Sequence, residues 1–482
     1  MSVYLFVCKR GYTMEKRIAL NITLMVIAIT LLGILGSLFF FNTAILGLIL
    51  GIIALVVVGR ANGYNWGTLL TMIKKGVKKA YIVLIIMSLV GMLSAIWMKS
   101  GTIPSLMLFG FEYLLGMNFL LASFLIMGLI SMLLGTAIGT ISTIGIPLFE
   151  IGSVIGMPPA VIAGAIISGA YIGDRTSPLS SVANLIAIIT ETKLMPMLKH
   201  FVKTLFPVFL ICLVAYFLIG RPYVIQGDSL NQINIIKEML HSHFQLGWYS
   251  LAPAFILIVL AISKVHIVYC MSVALISSIF ISVLTQEVSF MMLTNVLIHG
   301  YYPGEAEVAK LLSGGGLLSM TNVILTITAS TALNGLLESM GLLEPLLEKF
   351  FNGTKRTGDL ILKTVGLSAG ISVTTCSQSL AIIIPGRALR KRYIDEGLSS
   401  DELARTIADS GIAVSPLIPW NINAVAITSM LGVGALQYFP YAFLCFLLPI
   451  ASIFFGYFGK NKKSAKIEQV SIRRENEKEV LR

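Results

Sequence analysis

The chain has 482 residues, of which 56% are hydrophobic and only 12% charged. A soluble protein of this length needs more polar surface than that, so the composition excludes a water-soluble globular protein and indicates a polytopic membrane protein. The formal charge of +12 does not imply a nucleic-acid partner, because the basic residues gather in short loops and tails, as positive-inside topology requires.

Residues 1–18 read as a cytoplasmic N-terminal segment without a cleavable signal peptide, and Met14 is a second candidate start. Residues 19–41 and 43–59 form an apolar hairpin. The connection 60–79 is amphipathic and carries Arg60, Lys74, Lys75, Lys78 and Lys79. Residues 80–98 span, and 101–116, although short, are counted as a span. The run from 117 turns polar and glycine-rich over 135–147. A further apolar run starts at Pro159, breaks at Gly173-Asp174-Arg175-Thr176-Ser177-Pro178, and resumes from Leu185. Residues 200–220 span again, and 221–247 form a polar external linker. Residues 248–458 make a second half, which includes a span over 342–356, and 459–482 are a cytoplasmic tail. The five cysteines are scattered and suggest neither a disulfide framework nor a metal knuckle.

The second half repeats motifs of the first. Ile146-Pro147 recurs as Ile384-Pro385, Ser177-Pro178-Leu179 as Ser415-Pro416-Leu417, and Thr190 as Thr428, each 238 residues on. Gly101 and Gly341 match at a spacing of 240. Loop charges oppose one another. Arg387, Arg390, Lys391 and Arg392 follow the second Ile-Pro, whereas no Lys or Arg follows the first before Pro158. The expected fold is therefore an all-α polytopic membrane protein with two inverted repeats, 19–220 and 248–458. Broken or re-entrant helices would cross near the bilayer midplane, with both termini cytoplasmic. Fourteen crossings fit this plan.

An ionisable group inside a spanning segment is a functional candidate by default. Asp174 is the only acid in its broken segment; the purely structural alternative pairs it with Arg175. Thr176, Ser177, Ser180 and Asn184 supply neutral oxygens beside it, and sodium takes oxygen ligands; alternatively these groups bond backbone freed by Pro178. A sodium site is expected near Asp174 and Ser177. The second break offers Ser415, Asn421 and Asn423. Asp409, upstream of it, is either a second proton carrier beside Asp174 or an interfacial residue ending a polar helix. Thr136 and Thr140 in one polar stretch match Thr374, Thr375, Ser377 and Gln378 in the other. Their hydroxyls either line a substrate path or ease close helix packing.

The stretch Gly173-Asp174-Arg175-Thr176-Ser177-Pro178-Leu179-Ser180 resembles the NhaC-type sodium/proton antiporter family of the ion transporter superfamily. Ser168-Gly169-Ala170-Tyr171, Thr374-Thr375 and Ser415-Pro416-Leu417 extend the resemblance over nearly the whole chain. It implies an inner-membrane secondary transporter without a cofactor, with sodium as coupling ion and Asp174 and Ser177 at the cation or proton site. Many relatives continue with an Asp and Thr residues where this chain has Ser181-Val182-Ala183. The leading expectation is sodium/proton antiport in the lipid bilayer. The rival within the class is a sodium- or proton-coupled carrier of a small organic solute, an amino acid or carboxylate. The rival outside it is an intramembrane enzyme, which would need a nucleophile with a base, a metal site or a carboxylate pair. A homodimer is an assembly this reading admits.

Overall fold

The computed structural model describes residues 20–41, 43–113, 117–223, 228–263, 265–286, 288–342 and 356–459. The expectations for residues 1–18, for the tail beyond 459 and for nearly all of a span over 342–356 lie outside the described residues. Among the described residues every extended element is helical, so the chain is an all-α polytopic membrane protein. Among the described residues five unbroken helices are long and apolar enough to cross a bilayer, or up to eight if each of three sharply bent pairs counts as one. The 101–116 run forms a helix of only 12 residues, Thr102–Tyr113. At 1.5 Å per residue this described part covers about 18 Å, against a hydrocarbon core of about 30 Å, and residues 114–116 lie outside the described residues. The polar linker contains a helix, Asp228–His243.

The chain divides into two compact units. The smaller, residues 1–79 and 329–352, contains the expected hairpin, Leu20–Phe41 with Ile45–Ala61. The two helices touch through glycine: a Cβ on Gly47 would stand 2.3 Å from the Ile34 nitrogen. Phe39 and Phe40 on the outer face are 84% and 76% exposed, as helices bathed in lipid tails require. The basic connection forms the amphipathic helix Trp66–Lys79.

The larger unit, residues 80–328 and 353–482, is built around the helix Pro159–Thr176, buried at every position from Val161 to Thr176. Its sequence explains both ends. Pro159 opens it where an N–H would have no partner anyway. Pro178 cannot continue it and pushes Ser177 into extended geometry (φ −73°, ψ 135°). Small residues along it let the helix Phe119–Leu134 lie unusually close: a Cβ on Gly173 would stand 2.0 Å from the Ser131 carbonyl. Only glycine fits there.

Helix boundaries in the two halves recur at one spacing. Helices start at 137 and 378, at 159 and 400, at 181 and 422, and at 194 and 435, each pair 241 apart. They end at 154 and 395 and at 190 and 431, again 241 apart. The left-handed backbone positions keep the same step: Gly135 with Cys376, Gly156 with Gly397, Glu191 with Gly432. The motif matches at 238 therefore lie three residues off the register in which the backbone repeats. In the backbone register Pro178 falls on Pro419, Ala137 on Gln378, and Asp174 on Ser415.

Candidate functional site

The break after Thr176 is short and fully tied. Ser180 donates its hydroxyl to the Asp174 carbonyl at 2.5 Å and accepts from the backbone N–H groups of Val182 and Ala183 at 3.2 and 3.1 Å. One side chain thus satisfies the end of one helix and caps the start of the next, Ser181–Thr190. Asn184 donates to the carbonyls of Pro178 and Ser180 at 3.2 and 2.7 Å. Ser177 donates to the Met132 carbonyl at 2.7 Å. The helix runs on through Asp174 and Arg175, so these two neighbours point about 100° apart rather than at each other.

Asp174 faces a cavity of about 530 Å³. Gly135, Thr136 and Ala137 form part of its wall, together with Tyr171, Gln378, Asn423 and, at the start of the helix Ile267–Thr285, His266. The carboxylate is 7% exposed. Its Oδ1 accepts from the Ala137 backbone N–H and its Oδ2 from the Gln378 side-chain amide, both at 3.3 Å. The Gln378 carbonyl oxygen accepts from the Asn423 amide at 2.9 Å, and the same Asn423 amide donates to Ser415 Oγ at 3.0 Å. A polar chain therefore runs from the first-half acid to the second-half break. Each oxygen of Asp174 keeps lone pairs free toward the cavity. No Lys or Arg is among the described residues lining it.

Arg175 takes the opposite direction. Its guanidinium pairs with Asp409 and also donates to Thr204 Oγ1 at 2.9 Å and to the Phe201 carbonyl. It stacks over the Phe201 ring, 4.8 Å from the centroid. Asp409 is fully buried in a π-helical turn, Ala408–Ile412, and neither partner lines the cavity. Arg175 is thus the partner of Asp409 and not of Asp174. About two turns earlier, Glu402 joins Arg405 and its carboxylate lies 2.7 Å from His200 Nε2, where a ring N–H can donate to it.

The structure gathers Asp174, Gln378, Asn423, Ser415 and Thr136 in one connected region. Apart from Asp409, which pairs with Arg175, the remaining predicted side chains bond chiefly to backbone. Thr176 bonds the Ile172 carbonyl, Thr140 the Thr136 carbonyl, Thr374 the Gly370 carbonyl and Thr375 the Ile371 carbonyl. Ser377 and Asn421 cap helices; Asn421 also donates to Ser372 Oγ at 3.0 Å. Ser177 is not in the cavity wall, so it stands apart from the carboxylate it was grouped with. Sequence reasoning missed Ser131, which accepts the Gly173 N–H at 3.1 Å and holds the central helix. It also gave no role to Tyr171 and His266 in the wall, although a His directly before an apolar run is a cap signal.

The family model for the Na+/H+ antiporter family matches residues 169–460. The Na+/H+ antiporter NhaC of Alkalihalophilus pseudofirmus is 30% identical over 92% of this chain and 97% of its own. The chain belongs to the Na+/H+ antiporter family. The NhaC of Bacillus subtilis is 30% identical over 83% of this chain and 88% of its own. Similarity extends to the arginine/ornithine antiporter ArcD of Halobacterium salinarum, 30% identical over 92% of this chain and 90% of that one. The segment matched to the family contains Asp174, Gln378, Asn423 and Ser415.

Proposed function

We propose that this member of the Na+/H+ antiporter family exchanges sodium for protons across the inner membrane, with Asp174 as the group for which the two ions compete. The observation that carries this reading is the setting of the Asp174 carboxylate. It faces a cavity, accepts hydrogen bonds from neutral donors, and has no Lys or Arg among the described residues lining that cavity. Sodium takes oxygen ligands, and the carboxylate offers unused lone pairs next to Thr136. A proton on either oxygen removes the charge that attracts sodium. Occupancy is then exclusive, which is what exchange requires.

A second reading is favoured by the size of the cavity. About 530 Å³ lies within the roughly 300–1,000 Å³ typical of small-ligand sites and far exceeds a bare ion. An acidic wall without Lys or Arg suits a cationic amino compound better than a carboxylate. Counterflow of arginine or ornithine against sodium in proteoliposomes discriminates the two.

The topology we propose is two inverted repeats, 19–220 and 248–458, joined by 221–247, with both termini cytoplasmic. Its support is the 241-residue recurrence of helix boundaries together with the opposed loop charges. Transport rather than catalysis is supported by the neighbours of Asp174, which are amides. The buried Asp409 is turned onto Arg175 and forms no carboxylate pair with Asp174.

Asp174→Asn is the direct test. The purified variant should stay monodisperse, lose sodium-driven proton movement in proteoliposomes and bind sodium more weakly by calorimetry. A folded variant with normal exchange removes Asp174 from the mechanism.

A further inference from the structure

A stoichiometry is written into the charge count of this cavity. Among the described lining residues Asp174 is the only carboxylate. The backbone register shows where a second would stand if the halves were alike, and that position is Ser415. The two donors on the carboxylate, Ala137 and Gln378, are themselves equivalent in that register, so the halves meet on Asp174. From there the chain through Gln378 and Asn423 ends on the Ser415 hydroxyl. One half supplies a charge and the other a neutral oxygen. Asp409 offers no alternative, because it is neutralised by Arg175 and separating such a pair is strongly unfavourable, whereas Ser415, itself behind the wall, joins it through Asn423.

We infer that exchange is electroneutral, one sodium for one proton, with Ser415 as the residue that fixes this ratio. The inference rests on the antiport reading. Asp174 with sodium and Asp174 with a proton carry the same net charge, so both directions of the cycle move equal charge. His266 is the one imidazole among the described residues lining the cavity. It stands at a helix start with its Nδ1 accepting the Val268 N–H at 3.4 Å. A second proton carried there would make the cycle electrogenic.

The test uses wild-type protein in liposomes with equal sodium and equal pH on both sides, energised by a potassium diffusion potential. The expected result is no sodium accumulation. An exchanger moving one net charge per cycle would build a gradient of about fiftyfold at 100 mV. Ser415→Asp should convert the wild-type behaviour into potential-driven sodium accumulation. Accumulation driven by potential alone in the wild type overturns the inference, and its loss in His266→Gln would assign the extra proton to His266. An imposed sodium gradient serves as the control. If it moves no protons in the wild type, antiport itself fails and the ratio with it. If it moves protons while potential also drives sodium, only the ratio fails.

Discussion

Asp174 and Asp409, both buried, should respond differently to the same substitution. Asp409→Asn leaves the Arg175 guanidinium without its counter-ion at a site where both side chains are at most 1% exposed. Removing one partner of a buried pair costs about 3–5 kcal/mol. Here Arg175 keeps Thr204 Oγ1 at 2.9 Å and the Phe201 carbonyl and ring, so the lower end, about 3 kcal/mol, is the expectation. Asp174→Asn removes no ion pair. Its carbonyl oxygen can still accept from Ala137, and Gln378 can rotate its amide to meet the new N–H group, so the loss should stay under about 1 kcal/mol. Thermal unfolding in one detergent, followed by monodispersity on size exclusion, ranks the two. Asp409→Asn should melt several degrees below wild type and Asp174→Asn close to it, although only the latter loses exchange outright. The double replacement Arg175→Met with Asp409→Leu should recover most of the stability, since an apolar pair of similar volume needs no desolvated charge. Equal destabilisation by the two single variants, or none by Asp409→Asn, would refute the assignment of Arg175 to Asp409.

Ser180→Ala removes one donor bond and two acceptor bonds at the break. Loss of the cap costs about 1–2 kcal/mol, and exchange should slow without a change in sodium affinity, read as a lower maximal rate at constant KM. Inverted topology can be checked with Glu150→Cys and Lys391→Cys, equivalent positions in the backbone register, each in a background free of other cysteines. An impermeant thiol reagent should reach the first from outside and the second from inside, and labelling of both from one side rules the inversion out.

Much of the site was legible because hydrocarbon makes polarity conspicuous. Asp174 stands out in an apolar run, and Pro178 marks a place where a helix must stop. Two things were not legible. The partner of Arg175 lies 234 residues away, and nothing local announces it. Adjacency suggested Asp174, but adjacent residues on an intact helix diverge, and the helix turned out to persist to Thr176. The motif matches stand three residues off the spacing at which helix boundaries recur, for a related reason. Identical Ile-Pro and Ser-Pro-Leu motifs are chemically alike without being structurally equivalent. Cys376 and Gly135 are chemically unlike, yet they occupy the same left-handed turn. The hydroxyls of Thr176, Ser177 and Ser180 were readable as ligands or as backbone partners, and only coordinates show them bonded to backbone.

The bareness of the cavity wall also bears on leakage. An exchanger dissipates both gradients if its empty form can return across the membrane. With neither sodium nor proton bound, Asp174 is an anion, and no Lys or Arg stands beside it among the described residues of the wall. Carrying that charge through a low-dielectric barrier is costly, whereas either loaded form crosses neutral. A basic residue beside the carboxylate would bind it well and allow the unladen carrier to slip back. On the proposed function, the missing counter-ion acts as the lock that makes each ion's passage conditional on the other's.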